Sequence, residues 1–278
     1  ANSNSFLLTE RCNSFCVMCS QPPKKADDSY LVDEVLECIP LIPKDTHEIG
    51  FTGGETTLIG ERLIHLITSA KTHLPNTALH ILSNGRNFSN LDLARAVARV
   101  GHHDLMWGIP LYADTSDRHD FIVQADKAFD ETIRGILNLK RCQQRVEIRC
   151  VIHKENYKRL PALAEYIRRN LLFVDHVAFM GLEIIGFAKS NLEALWVGPS
   201  EYEEELTSAV ELLARSGVRV SIYNHPLCLI PERVRGFAIR SISDWKNDYP
   251  QACTPCSLLS ECGGFFSWNV ATGSDLVK

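Results

Sequence analysis

No stretch of this 278-residue sequence approaches the roughly 18–20 continuous apolar residues that cross a bilayer, so no membrane-spanning helix is expected. A basic leader followed by an apolar core is also missing. Ala1 to Ser5 is polar, and no signal peptide is read there. Positive charge is in deficit: 29 Lys and Arg against 34 Asp and Glu leave a net −5, which argues against a general nucleic-acid binder with its basic face. Methionine is scarce at three, and there is no internal repeat or low-complexity tract. Even the ten cysteines are too dilute for a disulfide scaffold, and a chain this long folds without cross-links. With no export signal, a cytoplasmic location is expected. There, clustered cysteines bind metal or do redox chemistry more often than they form disulfides.

What the sequence does have is alternation. Short apolar runs at Phe6-Leu7-Leu8, Glu48 to Phe51, Leu79 to Leu82, Leu105 to Tyr112, Val146 to Ile152, Val174 to Met180 and Val218 to Tyr223 read as strands. Between them, Tyr30 to Pro40, Glu61 to His73, Leu91 to Val100, Phe129 to Leu139, Leu160 to Arg169 and Ser200 to Ala214 have helical spacing, the last with Ser200 as N-cap. Regular βα alternation predicts an α/β fold of parallel strands joined by right-handed crossovers. About six units suit a partial (β/α)6 TIM-like barrel, with strands covered on both faces and chemistry at their C-terminal ends. After Tyr223 the pattern stops. The expected division is therefore a barrel over 1–223 and a loop-rich tail over 224–278.

The first strand runs into Cys12-Asn13-Ser14-Phe15-Cys16-Val17-Met18-Cys19, a C-x3-C-x2-C triplet. Three thiolates this close converge on one centre only if the backbone loops around it, and soft thiolates select iron–sulfur clusters, zinc or copper(I). A four-iron cluster commonly takes four cysteines, so three leave one iron with an open position. The competing reading is a structural zinc site with its fourth ligand elsewhere, although zinc modules prefer paired C-x2-C elements. Gly53-Gly54-Glu55 follows the second strand, and Ser83-Asn84-Gly85 follows the third. Glycine lets a backbone approach a ligand closely. Taken alone, Gly-Gly-Glu is usually just a strand-to-helix turn, and Ser-Asn-Gly reads equally as turn chemistry.

Together the triplet and Gly-Gly-Glu resemble the radical S-adenosylmethionine superfamily, over about residues 5 to 225 and on into the tail. The resemblance implies that Cys12, Cys16 and Cys19 hold a four-iron cluster whose open iron chelates S-adenosylmethionine. Reductive cleavage would then give a 5′-deoxyadenosyl radical that abstracts hydrogen from substrate. It implies that carbonyls of Gly53, Gly54 and Glu55 hold the methionine ammonium, and that Ser83 and Asn84 flank the cofactor. Arg149 in the fifth strand matches a segment that supplies a polar cofactor contact, or else pairs with Glu147 or faces outward. Glu183, after the sixth strand, is a candidate substrate contact. Two departures stand out: Met18 replaces the usual aromatic, and Pro110 occupies the region of the expected ribose-contacting serine, leaving that partner unassigned. Asp114, Asp117, His119 and Asp120 read as caps and turns rather than a metal site.

Cys253-Thr254-Pro255-Cys256 and Cys262-Gly263-Gly264, with Cys228 upstream, supply four more thiols. Four thiolates complete a zinc tetrahedron or a cluster. The arrangement resembles the auxiliary-cluster modules (SPASM and twitch types) of peptide-modifying radical enzymes, which implies one fully ligated auxiliary four-iron cluster. Cys38, Cys142 and Cys150 read as packed hydrophobes, and His225 as neither base nor ligand. Leu8 to Cys12, Met18 to Lys24, Ile109 to Tyr112, Ser243-Asp244-Trp245 and Cys262 to Phe266 are similar to the C-type radical maturases of His-Xaa-Ser systems. That likeness implies a ribosomal peptide or protein substrate with His-Xaa-Ser repeats, a partner radical maturase and an external electron donor, without nucleic acid or membrane. The rivals are a radical enzyme on RNA or a small molecule, and a non-catalytic zinc or iron–sulfur protein of binding or electron transfer.

Overall fold

The computed structural model describes residues 3–240 and 247–269. Ser243-Asp244-Trp245 and the last residues of the tail lie outside the described residues. The elements are β1 (Ser3–Leu7), α1 (Tyr30–Cys38), β2 (Glu48–Thr52), α2 (Glu61–His73), β3 (Ala78–Leu82), α3 (Leu91–Val100), β4 (Leu105–Pro110), α4 (Ser116–Val123) and α5 (Ala128–Arg141). They continue with β5 (Arg145–Val151), α6 (Leu160–Asn170), β6 (His176–Met180), α7 (Phe187–Ser190), α8 (Leu192–Leu195), α9 (Glu203–Arg215), β7 (Val220–Tyr223) and β8 (Ala238–Ile239). Strand order follows chain order from β1 to β8. This is the α/β class, with parallel strands, that the partial-barrel reading needs.

Two compact units make up the chain. The first comprises Ala1–Phe15, Gln21–Leu111 and Val123–Ile148. In it β1 pairs with β2, β2 with β3 and β3 with β4, all parallel. Side chains alternate across a strand, and Ile49, Phe51, Leu79 and Ile81 are buried on one face. Trp107 is fully buried and meets Phe88 edge-to-face at 4.7 Å. The helices carry their own stop and start signals. Asn90 caps α3 by accepting from the Asp92 N–H, and Gly101, left-handed at φ 64°, ends it.

The second unit comprises Cys16–Ser20, Tyr112–Ile122 and Arg149–Lys278. Here β6, β7 and β8 pair in parallel. Helices α6 and α9 bury Leu163 and Ile167, and Leu206, Val210 and Leu213. Tyr202 donates to His225 Nε2 at 2.7 Å, because His225 Nδ1 faces the Tyr223 carbonyl at 2.8 Å and must itself donate.

Several expectations change. Helix α4 falls where only caps and turns were read, and β8 adds a short strand after Tyr223. Ser200 does not cap α9: it sits in a 3-10 turn over Pro199–Glu201, and the helix begins at Glu203. The Pro at the start of that turn and the competing tight turn explain the delay. Strands β2 and β3 are not covered on both faces. Each alternates buried and half-buried positions, so Glu48, Gly50, Thr52 and His80 lie on a partly open face. Trp107→Ala should lower stability by about 3–5 kcal/mol by opening a cavity beside Phe88. Urea unfolding checks this, and an unchanged midpoint would remove Trp107 from the core.

Candidate active site

In the first unit, the chain leaving β1 crosses directly over the end of β2. Gly54 N–H donates to the Thr9 carbonyl at 2.7 Å and Glu55 N–H to that of Arg11 at 2.8 Å. This crossing leaves no room for a side chain. A Cβ on Gly53 would lie 2.4 Å from the Thr9 oxygen, and one on Gly54 2.2 Å from that of Arg11. The glycines therefore admit the backbone that leads into Cys12, a different neighbour from the ligand expected there. Asp28 braces the same segment, accepting from the Thr9 hydroxyl (2.8 Å), the Glu10 N–H (2.5 Å) and Arg11 Nε (3.1 Å). Burial works to raise its carboxyl. The bonds from Glu10 and Thr9 and the charge of Arg11 outweigh that and hold it below 3.8.

Glu55 is fully buried and ties the ends of β2 and β3 together. Its carboxylate accepts from the Thr57 N–H and hydroxyl, from the Ser83 hydroxyl at 2.7 Å and from the Asn84 N–H at 2.6 Å. The Glu55 side chain is thus committed to this junction. Ser83 has one proton, given to Glu55, so it can meet a ligand only as an acceptor. Asn84 Nδ2 donates to Asn13 Oδ1 at 2.6 Å. Arg86 donates to the Asn13 carbonyl at 2.5 Å while its Nε meets Glu131 at 2.6 Å. The third-strand loop therefore grips the residue that follows Cys12.

Cys16 to Ser20 belongs to the second unit. Val17 N–H donates to the Ile122 carbonyl at 2.9 Å, at the end of α4. Phe187 N–H donates to the Cys19 carbonyl at 2.8 Å, and Asn191 Nδ2 to that of Val17 at 2.8 Å. Gly186 makes this possible: at φ +56°, its Cβ would lie 2.5 Å from the Cys19 oxygen. Met18 is buried. Burial pushes the nearby Tyr112 hydroxyl well above its usual range, and the thiols of Cys16, Cys150 and Cys19 reinforce this against the pull of Arg149. Tyr112 stays protonated and Arg149 lies within electrostatic reach of it. Glu147, the partner considered for Arg149, lies 3.5 Å from His80 Nε2 within the first unit.

The profile of the Radical SAM superfamily matches residues 6–167, more than half of the chain. The chain belongs to the radical SAM superfamily. Among solved structures it is similar to Streptococcus suis SuiB bound to S-adenosylmethionine, at 11% identity and a TM-score of 0.64 over 79% of this chain and 50% of that one. SuiB bound to its precursor peptide SuiA gives 10% and 0.61, over 79% and 48%. Native anSMEcpe with bound AdoMet and Cp18Cys peptide gives 18% and 0.59, over 79% and 62%. This chain thus spans about half the length of SuiB. At such identities the likeness is one of fold. No curated protein matches.

Membership of the radical SAM superfamily implies a four-iron cluster and S-adenosylmethionine, and the donor set suits them. None of the ten cysteines is in a disulfide, and Cys12, Cys16 and Cys19 are all half-buried rather than sealed in a core. Among the described residues no three His, Cys, Asp or Glu side chains converge tightly enough to grip a single metal ion. A cubane asks for less, because each of its irons takes its own thiolate. The tail cysteines also gather. Cys228, Cys253, Cys256 and Cys262 all line one cavity of about 350 Å³. Burial, then the thiols of Cys228, Cys262 and Cys256, push Cys253 up. Leu227 and Gly264 N–H groups point at the Cys262 sulfur, at 3.3 and 3.4 Å.

Other residues named from sequence take structural places. Asp114, just ahead of α4, forms a paired contact with Arg159 (2.7 and 2.5 Å); Asp117, His119 and Asp120 lie inside α4 rather than in a turn, and bonds from Thr115 and Arg118 hold Asp117 down. His225 is buried, and burial lowers it to about 4. Cys150 is buried with its thiol pushed up to about 12, whereas Cys38 is exposed and not a packed hydrophobe. Glu183 accepts from Trp268 Nε1 at 3.1 Å. Asp28, Arg86, Gly186 and Asn191 were not singled out from sequence. Only the Arg after Ser-Asn-Gly and a Gly after the sixth strand hinted at two of them.

Because the Asp28 carboxyl is lowered on folding, its stabilising contribution is complete above about pH 4 and fades as pH falls through the lowered folded value. Asp28→Asn should therefore lower the urea midpoint at neutral pH, with the gap to the parent closing in acid. A gap that stays constant with pH would contradict this account.

Proposed function

We propose that the chain is a peptide maturase: a radical SAM enzyme that abstracts hydrogen from a ribosomally made peptide or protein and so modifies it. The support is the loop that carries Cys12, Cys16 and Cys19: the ends of β2 and β3 hold its Cys12 part, and the end of α4 with Phe187 and Asn191 holds its Cys16–Ser20 part, all by hydrogen bonds. When bound, a reduced four-iron cluster and S-adenosylmethionine supply a carbon-centred hydrogen abstractor. The chain's own part is to hold and orient. Cys12, Cys16 and Cys19 ligate the cluster, main-chain carbonyls of Gly53, Gly54 and Glu55 accept from the methionine ammonium, and Ser83, Asn84 and Arg149 border the cofactor. Glu55 keeps the second and third strand ends in register. No strong base is needed from the protein.

Cys228, Cys253, Cys256 and Cys262 take one auxiliary cluster in a tail over 224–278, apart from the barrel over 1–223. Its role is electron relay or tail structure. The peptide assignment draws on SuiB and anSMEcpe, each solved with a peptide bound. His-Xaa-Ser repeats in the substrate, a partner maturase, an external electron donor and a cytoplasmic setting complete the proposal. No helix among the described residues is long and apolar enough to cross a membrane.

Two four-iron clusters predict about eight irons per chain with matching sulfide. Stoichiometric zinc without sulfide would overturn the reading. Cys16→Ala should abolish 5′-deoxyadenosine formation under anaerobic reduction, while Cys253→Ala should lose about half the iron and keep that product without peptide. Undiminished 5′-deoxyadenosine from Cys16→Ala would refute the role of the first triplet. Mass change of a co-produced peptide tests the substrate class.

A further inference from the structure

Helix α4 was invisible in the sequence, yet it meets the first cysteine loop. The last carbonyls of any helix lack partners within it. In α4 two of them are taken by that loop: Val17 N–H donates to Ile122 and Phe15 N–H to Val123, at 2.9 and 3.0 Å. Val17, between Cys16 and Met18, is therefore held through its N–H by the end of a helix, and through its carbonyl by Asn191.

The start of α4 is fixed in turn. Tyr112 N–H donates to His119 Nδ1 at 3.3 Å, and the two rings stack at 5.9 Å with 23° between their planes. His119 is 1% exposed, so its ring cannot swing away without moving the helix. The His153 ring lies beyond Tyr112 at 6.4 Å. Two ion pairs fasten the flanks to the loop after β5: Arg118 with Glu155 at 2.7 Å and Asp114 with Arg159. All of these residues belong to the second unit. The chain runs from a buried histidine through a helix to the main chain between two cysteines.

We propose that His119 is a positioning residue for the first cluster: by accepting from the Tyr112 backbone it sets α4, and α4 sets the Cys16–Cys19 arm. This rests on the reading of Cys16 and Cys19 as cluster ligands. It assigns His119 no contact with substrate or cofactor. Partners bonded directly to a metal ligand commonly alter metal affinity or activity by about 10–100-fold; His119 acts through a helix, so the lower end, about tenfold, is expected here.

The test uses the reconstituted full chain and three variants. His119→Ala removes ring and acceptor, His119→Leu keeps bulk without an acceptor, and His119→Asn keeps an acceptor near the Nδ1 position. Circular dichroism and iron content check fold and loading. The readouts are S-adenosylmethionine affinity by equilibrium dialysis and the paramagnetic-resonance signal of the reduced protein that changes when S-adenosylmethionine is added. His119→Ala and His119→Leu should lose about tenfold in affinity and broaden that signal at parental iron content, and His119→Asn should recover most of both. If the alanine variant does not fold, the leucine and asparagine pair decides. Parental affinity and line shape in His119→Leu would overturn the proposal alone. A parent chain with no iron signal responsive to S-adenosylmethionine would overturn the underlying reading, and this proposal with it.

Discussion

Main-chain pairing between Thr9–Arg11 and Gly54–Glu55 governs where the chain turns toward Cys12. The two hydrogen bonds are short, and the space above Gly53 and Gly54 is filled by the opposing carbonyls. Any larger residue would push the strands apart and carry Cys12 with them. Two buried carboxylates then fix the edges of this crossing. Asp28 takes donors from Thr9, Glu10 and Arg11, and Glu55 takes donors from Thr57, Ser83 and Asn84. A buried charge is tolerated only when so satisfied, and each such group makes its neighbours' geometry nearly unique.

The remainder of the loop is governed by the same logic with different parts. Cysteine side chains are short, so their sulfurs go where the backbone puts them. The backbone from Cys16 to Ser20 is held on one side by the end of α4 and on the other by Phe187 and Asn191. Gly186 permits the second contact by its left-handed conformation and the absence of a Cβ. Hydrogen bonds from amides to the Cys262 sulfur repeat the theme in the tail, where four thiols gather around one cavity. Amide donors of this kind stabilise negative charge on sulfur, which suits thiolate ligands.

Much of this was legible in the residues. Strand and helix positions follow the apolar periodicity, and helices such as Glu61–His73 and Leu91–Val100 match their expected bounds. The cysteine triplet and Gly-Gly-Glu mark the candidate site because their spacing is rare and chemically specific. What stayed hidden depends on distant partners. Helix α4 is short, with Asp and His where apolar periodicity would be sought, and packing of Tyr112 on His119 rather than propensity defines it. Asp28 looks like one acidic residue among many until Thr9, 19 positions away, is seen to donate to it. The backbone of Thr9 and Arg11 that fills the Cβ space of Gly53 and Gly54 is hidden for a related reason: sequence shows that a close approach is needed but not everything that approaches.

The central claim is that Cys12, Cys16 and Cys19 hold a cluster with one iron left open for S-adenosylmethionine. Mössbauer spectra of the iron-57-reconstituted chain, recorded with and without S-adenosylmethionine, test it most directly. One iron site of one cluster should change its isomer shift on addition while the remaining sites stay as they were. Spectra identical in the two conditions, from a chain that carries its full iron, would contradict the account.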